Sequence, residues 1–244
     1  MALTEELPIT HVRTVGGHVA RLTFRPDTND GSLAWGIIHG AEYPFERMQG
    51  LSGWAIDVGA HIGIVTVALA LDNPDLRIVA VEALAENVEM LRRNVELNGL
   101  SERVFIEAAA ASNEAEYEAK ATVPIVYGWS HAINQPDGYM ADSRFIGGMV
   151  GPNDSSQTAI CPPLSLHGIR EKYEIDEVSL LKIDCEGCEW FFLSSADVSK
   201  VERIIGEAHV GRHGQLKDLR TMLKAFTVTM DDSLVVAIFE AVRK

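Results

Sequence analysis

Trp54-Ala55-Ile56-Asp57-Val58-Gly59-Ala60-His61-Ile62-Gly63 is the stretch on which the reading of the fold turns. Trp54, Ala55, Ile56 and Val58 set apolar side chains around one acid, as a buried strand does. Gly59 and Gly63 then let the backbone turn tightly and lie close to a ligand. Residues 62–71 continue almost wholly apolar, so the helix they form must be buried against a sheet. A glycine turn between a parallel strand and a helix is where open α/β sheets bind ligands, with helix N-terminal amides ready for an anionic group.

The spacing of the glycines selects the ligand. A dinucleotide fingerprint needs G-x-G-x-x-G, but counting from Gly59 the second and third positions are His61 and Ile64. A triphosphate loop needs a Lys after its last glycine, and none follows Gly63. What remains, Asp-x-Gly-x-x-x-Gly after a strand, suits S-adenosylmethionine, whose ammonium wants an acid, whose carboxylate wants amides, and which has no phosphate. Residues 77–81 read as the next strand, and Glu82 at its end suits the two hydroxyls of a ribose. NAD enzymes share that feature, so an NAD-binding oxidoreductase is the alternative against which the glycine spacing argues. The expected cofactor contacts are Asp57, Gly59, Ala60, His61, Gly63 and Glu82, with Ala110 in the small-residue run 108–111 offering a flat surface to adenine. A close helix-to-sheet contact is the other reading of that run.

Composition narrows the class. With 244 residues, 47% hydrophobic, the chain is one compact domain with decorations. A net charge of −14 opposes phosphate backbones, so nucleic acid is not an expected substrate and the acidity serves solubility. Residues 1–8 lack the positive flank and apolar core of a signal peptide, and the longest apolar run is broken at 72–75, so neither export nor a membrane span is expected. Three cysteines make no disulfide framework and fit a reducing compartment. The expectation is a soluble, cytoplasmic protein, with a homo-oligomer compatible with this composition.

Along the chain, residues 1–50 read as a β-rich extension or cap, and 51–244 as the cofactor-binding domain. Residues 19–24 alternate, 26–32 are a turn cluster and 33–39 resume an apolar run; Trp35, His39, Tyr43 and Phe45 either touch substrate or pack. Residues 86–98 form a helix stopped by Gly99, and 103–108 a third strand. Residues 128–163 turn to glycine, proline and polar residues with scattered Trp129, Tyr139 and Phe145, a substrate lid or an idle insertion. Then come a helix at 166–173, a strand at 178–184, a helix from about Glu189, a strand at 203–209, a helix ending near Phe226, and strands at 226–230 and 234–241. This is the α/β, Rossmann-like plan of a class I methyltransferase: a mostly parallel seven-stranded sheet closed by a C-terminal antiparallel hairpin.

Three segments together carry a resemblance. Residues 57–63, then Val81-Glu82 with 94–100 (Asn-Val-Glu-Leu-Asn-Gly-Leu), and 181–189 (Leu-Lys-Ile-Asp-Cys-Glu-Gly-Cys-Glu) resemble the FkbM family of S-adenosylmethionine-dependent methyltransferases. The Lys-Ile-Asp-x-Glu-Gly-x-Glu segment, with Glu207 and His209 following, is the most diagnostic part. The resemblance implies O-methylation of a hydroxyl on a sugar, macrolide or other natural product. Ala83, where the family often has Pro, and the long 128–163 segment depart from it.

Asp184 and Glu186 stand two apart at the end of one strand, and Glu207 and His209 two apart at the end of the next, so alternation puts each pair on one side. Asp184 thereby borders both cofactor and acceptor. Methyl transfer is an in-line displacement that gains most from holding the acceptor oxygen in place, and a base adds to it. His209 is the preferred base, oriented by Glu207, with His131 and Glu186 as the other candidates. Asp184, Glu186 and Glu207 can instead hold Mg²⁺ to acidify the hydroxyl, although no residue is assigned as a dedicated metal ligand. Cys185 and Cys188 are formally C-x-x-C, but the acids and glycine between and beside them carry the pattern, and only Cys161 is left to complete a zinc site. A cofactor-binding protein without catalysis is the remaining alternative.

Overall fold

The computed structural model describes residues 7–26, 28, 30–39, 43–128, 131–134, 157–209, 214–231 and 236–244. The chain opens with an antiparallel hairpin, β1 (Ile9–Arg13) and β2 (Val19–Thr23), whose alternation buries Ala20 and Leu22. The expected β structure at 33–39 is replaced by a helix, α1 (Asp30–Ile38). Ala34 and Ile38 are buried four residues apart while Trp35 is exposed. That helical period is hidden when a short apolar run is read alone. A 3-10 turn, Phe45–Met48, buries Phe45 and Met48 before the sheet begins.

The sheet is built from β3 (Gly53–Val58), α2 (Ile64–Asp72), β4 (Leu76–Glu82), α3 (Ala85–Leu97) and β5 (Val104–Ala108), each strand parallel to the one before. A side excursion follows: β6 (Ala110–Ala111), α4 (Glu114–Ala119), β7 (Val123–Gly128), β8 (His131–Asn134), β9 (Gln157–Cys161) and β10 (Pro163–Leu164). Strands β8, β7 and β9 form a small antiparallel sheet, and β10 lies beside β6. The segment read as a substrate lid or an idle insertion is described at its flanks, in β8 and β9; Trp129, Tyr139 and Phe145 lie outside the described residues.

The chain returns through α5 (Leu166–Lys172), β11 (Val178–Ile183), α6 (Glu189–Ser194), β12 (Val201–His209), α7 (Leu216–Met222), β13 (Phe226–Asp231) and β14 (Val236–Arg243). Seven strands stand in the order β13-β14-β12-β11-β3-β4-β5; β14 runs antiparallel to both its neighbours and the rest are parallel. This is the class I methyltransferase-like sheet with its terminal antiparallel pair. Strand order reverses between β3 and β11, which makes their carboxyl ends the crevice where such sheets take ligands.

Alternation sorts the core onto two faces. Ala55, Ile78, Ala80, Leu180 and Ile205 pack with residues of α1, α2 and α3; Ile56, Val79, Leu181, Ile183 and Ile204 pack with residues of α5, α6 and α7. Asp57, Lys182 and Glu207 each stand two residues beyond a member of the first set, so the period of two brings all three to one face at the strand ends. The extension shares this core: Leu22, Ala34, Ile38, Tyr43 and Met48 belong to the same apolar cluster as α2 and α3. At the far end of α2, the buried carboxylate of Asp72 accepts from Thr14 Oγ1, Gly16 N and Gln49 Nε2 and ties the hairpin to the sheet.

Candidate active site

The glycine turn joins β3 to α2 across the switch point. Gly59 has φ 78°, and a Cβ there would meet the carbonyl oxygen of Asp184 at 1.7 Å, so only glycine lets the ends of β3 and β11 come this close. His61 takes φ 51° without being glycine, so the backbone keeps the left-handed bend that a second fingerprint glycine would make. The turn amides are less open than the sequence suggests. Gly59 N and Ala60 N both donate to Val81 O at 3.0 Å, and His61 N donates to Glu82 Oε2 at 2.9 Å. These three amides hold the turn against β4 instead of facing a cofactor carboxylate. Gly63 caps α2 at φ 89° with its Cα against Leu91.

Glu82 ends β4 as expected, almost buried. Its Oε1 accepts from Leu84 N at 2.9 Å and Asn87 Nδ2 at 3.1 Å. Burial raises its affinity for a proton, and the N–H donors of Leu84, Asn87 and His61 oppose that rise. Ala110 is 1% exposed, and its amide donates to Pro162 O at 2.9 Å, so β10 covers the edge where adenine was expected to rest. Beside the turn, Arg25 clasps the buried Asp30 through Nε and Nη2, each at 2.9 Å, and reaches Asn87 Oδ1 at 2.8 Å and His61 Nε2 at 3.2 Å. This cluster fastens the extension over the turn.

Asp57 does not face the crevice. It is 1% exposed, accepts from Thr66 Oγ1 at 2.6 Å, and lies 3.2 Å from Lys182 Nζ. An acid at a strand end reads as open in sequence, but the β3–β11 register sets Lys182 opposite Asp57. Lys182 is 2% exposed; its Nζ donates to Gly59 O at 2.8 Å and stands 3.7 Å from Asp184 Oδ2. Burial alone would strip its proton, yet Asp57 and Asp184 outweigh that and hold Lys182 charged beyond the ordinary lysine range. Lys182 is a site residue that the sequence marked only as part of a motif. Asp184 keeps a quarter of its side chain exposed at 25%, and Tyr43 Oη donates to its Oδ2 at 2.9 Å. Burial raises the proton affinity of Asp184 despite Lys182 beside it. Of the aromatic candidates in the extension, Tyr43 reaches this group, Phe45 packs in the core, and Trp35 stacks on His39 at the surface.

On the acceptor side the structure brings Glu186, Glu207 and His209 together as expected and adds Glu189. His209 Nε2 lies 3.3 Å from Glu186 Oε2 and 3.8 Å from Glu207 Oε2, and Nδ1 lies 3.1 Å from Glu189 Oε1. Burial would favour the neutral ring, but Glu189 and Glu186 more than offset it and push the imidazole up to about 12. Carboxylates at both ring nitrogens favour the protonated ring, and this arrangement speaks against the reading of His209 as base. Unperturbed histidine titrates near neutrality, and Glu189, read in sequence only as part of a motif and a helix start, is the α6 carboxylate that changes this. His131 lies in β8, but its side chain is outside the described residues.

The Mg²⁺ reading fares no better. Among the described residues, the side chains whose ligand atoms all come within 4.8 Å of one another are Asp184, Glu189 and His209, a different set from Asp184, Glu186 and Glu207. Glu186 and Glu207 fall outside that set, so we assign no metal ligands here. Cys161, Cys185 and Cys188 are free, buried thiols. Burial pushes Cys185 well above its usual range and Cys161 up to about 11, the opposite of what thiolate chemistry needs.

Comparison with known proteins identifies the family. The model of the methyltransferase FkbM domain matches residues 57–228. A release factor glutamine methyltransferase of Chlorobaculum tepidum is 40% identical over 58 residues, 23% of this chain, and the match spans only 20% of that protein. Among solved structures, the T. thermophilus 16S rRNA N2 G1207 methyltransferase, in complex with AdoMet and guanosine, aligns with a TM-score of 0.50 at 12% identity, covering 98% of this chain and 52% of that one. Precorrin-6y C5,15-methyltransferase from Geobacter metallireducens aligns with a TM-score of 0.45 at 12% identity, over 81% and 83% of the two chains.

Proposed function

The chain belongs to the FkbM methyltransferase family, and from that premise we propose that it carries the methyl group of S-adenosylmethionine to a hydroxyl oxygen of a small molecule. The observation that carries this reading is the acid wall at the switch point. Asp184, backed by Lys182 and Tyr43, stands against the glycine turn, and Glu186 and Glu207 extend the wall outward. A net charge of −14 speaks against a polyphosphate acceptor, although some fold neighbours act on RNA. The three cysteines support a reducing, cytoplasmic setting.

In the proposed reaction the S–CH₃ bond breaks as the O–CH₃ bond forms, the sulfonium becomes a neutral thioether, and the hydroxyl proton passes to Asp184. Burial makes Asp184 a stronger base than an exposed carboxylate. Glu82 takes the ribose, and the methionine arm lies along the crevice at the carboxyl ends of β3 and β11, where Gly59 lets the two strands approach.

The test has two stages. S-adenosylhomocysteine should raise the melting temperature and NAD should not, since only a true ligand stabilises the native state. Turnover is then followed with methyl-labelled cofactor on a panel of hydroxylated sugars and polyketides. Asp184→Asn should lower it by ~10²-fold or more, the usual range for a lost base, with S-adenosylhomocysteine still bound. EDTA should leave the rate unchanged. Labelling of amines or RNA alone, or Asp184→Asn within about tenfold of the parent, would overturn the proposal.

A further inference from the structure

Both ring nitrogens of His209 face carboxylates, Glu189 at Nδ1 and Glu186 with Glu207 at Nε2. An ionised carboxylate only accepts, so a ring placed in this way carries two N–H donors and a positive charge. Of the three acids, Glu189 is the buried one, at 1% side-chain exposure against 34% for Glu186 and 20% for Glu207. Its pairing is therefore the least screened by solvent. Among the described residues His209 is the one ion-pair partner of Glu189, and the Oε2 of Glu189 is buried without a hydrogen-bond partner. Losing His209 would strand Glu189 in the interior, and losing Glu189 would leave the ring only the more exposed Glu186 and Glu207.

The same Glu189 Oε1 also accepts from Cys185 N at 2.9 Å and Gly187 N at 3.2 Å, the amides on either side of Glu186. Glu186 stands at φ 57° and Gly187 at φ 100°, a left-handed pair that needs an outside hold to persist. We infer that Glu189 is the positioning residue of the acceptor side: one buried oxygen holds both the turn that presents Glu186 and the ring of His209. The ring in turn gathers Glu186 and Glu207 at the mouth of the crevice. The other charges around it are Asp184 on the same turn and Lys182 on β11, which offset each other across 3.7 Å. The inference deepens the reading of an acceptor beside Asp184, but its test needs no acceptor.

The test is heteronuclear NMR of the full chain labelled with ¹³C and ¹⁵N histidine, the His209 signals identified as those lost in His209→Gln. From about pH 5 to 9, where free histidine titrates, the ring should stay doubly protonated in the parent. Glu189→Gln should bring its midpoint into that window, whereas Glu186→Gln and Glu207→Gln should not. A parent ring that titrates in the window, or one that stays charged in Glu189→Gln, overturns the inference. If Glu189→Gln is too unstable to titrate, the double variant Glu189→Gln/His209→Gln should regain part of the lost stability in urea; no regain overturns it as well. A failed turnover assay would remove the proposed reaction and leave these outcomes standing.

Discussion

Glu82 meets three N–H donors, from His61, Leu84 and Asn87, and an ionised carboxylate offers about four acceptor positions, which leaves room for the proposed ribose hydroxyl. Glu82→Ala should weaken S-adenosylhomocysteine binding by roughly 10 to 100-fold in calorimetry, the worth of hydrogen bonds to a charged group, and unchanged affinity in a folded variant rejects the assignment. His209 yields a second prediction. Its proton affinity is raised in the folded state to about 12, so its contribution to stability is complete below the unfolded value near 6.5 and fades as pH rises from there. Between about pH 7.5 and 9.5 the parent should lose ~1.4 kcal/mol per pH unit more than His209→Gln in urea unfolding, the slope of one proton. Parallel curves would count against the charged ring. At this scale the sequence was legible where a residue ends its own strand, as Glu82 and Asp184 do. It was not legible for Asp57 or His209, whose states are set by Lys182 and Glu189, groups placed by strand register and by the first turn of α6.

Elements were easier to read where period and punctuation agree. Strand β3, the apolar α2 and the terminal pair β13 and β14 follow from alternation and unbroken apolar runs, and Gly99 stops the chain just past α3. Helix α1 escaped because a short apolar run gives alternation and helix the same score, and the choice is made by what Ala34 and Ile38 pack against. The closeness of β3 and β11 makes a prediction of its own. Gly59→Ala puts a methyl group within 1.7 Å of Asp184 O in a left-handed backbone, so it should cost roughly 3 kcal/mol or more and abolish cofactor binding. Chemical denaturation with a thermal-shift titration checks both, and a variant of parental stability would mean that the two strands part more easily than their packing implies. Cys185 and Cys188 carry the opposite expectation. As buried thiols that belong to no disulfide, they should tolerate joint replacement by Ala with S-adenosylhomocysteine affinity within a few-fold.

For the molecule as a whole, the boundary drawn at residue 50 divides the sequence but not the core, since Leu22, Ile38, Tyr43 and Met48 pack in one cluster with α2 and α3. Asn94 is the fastening: fully buried, it accepts from Thr23 N at 2.8 Å and donates to Ile62 O at 2.9 Å, joining β2 to the cofactor turn. Asn94→Ala should therefore destabilise the whole chain by about 2 to 4 kcal/mol in a single unfolding transition, because it leaves buried backbone groups unpaired. Two separate transitions would show that the extension folds alone. No helix among the described residues is long and apolar enough to cross a membrane, so the apolar fraction is spent on the two faces of the sheet. The ammonium of Lys182 touches the carbonyl of Gly59 on one side and the carboxylates of Asp57 and Asp184 on the other. If Asp184 is the base of the proposed reaction, selectivity for the acceptor and grip on the cofactor are not separate dials. A lineage, or an engineer, that retunes Asp184 for a new acceptor shifts the charge balance under the glycine turn as well, and every change of taste is felt as a change of hold.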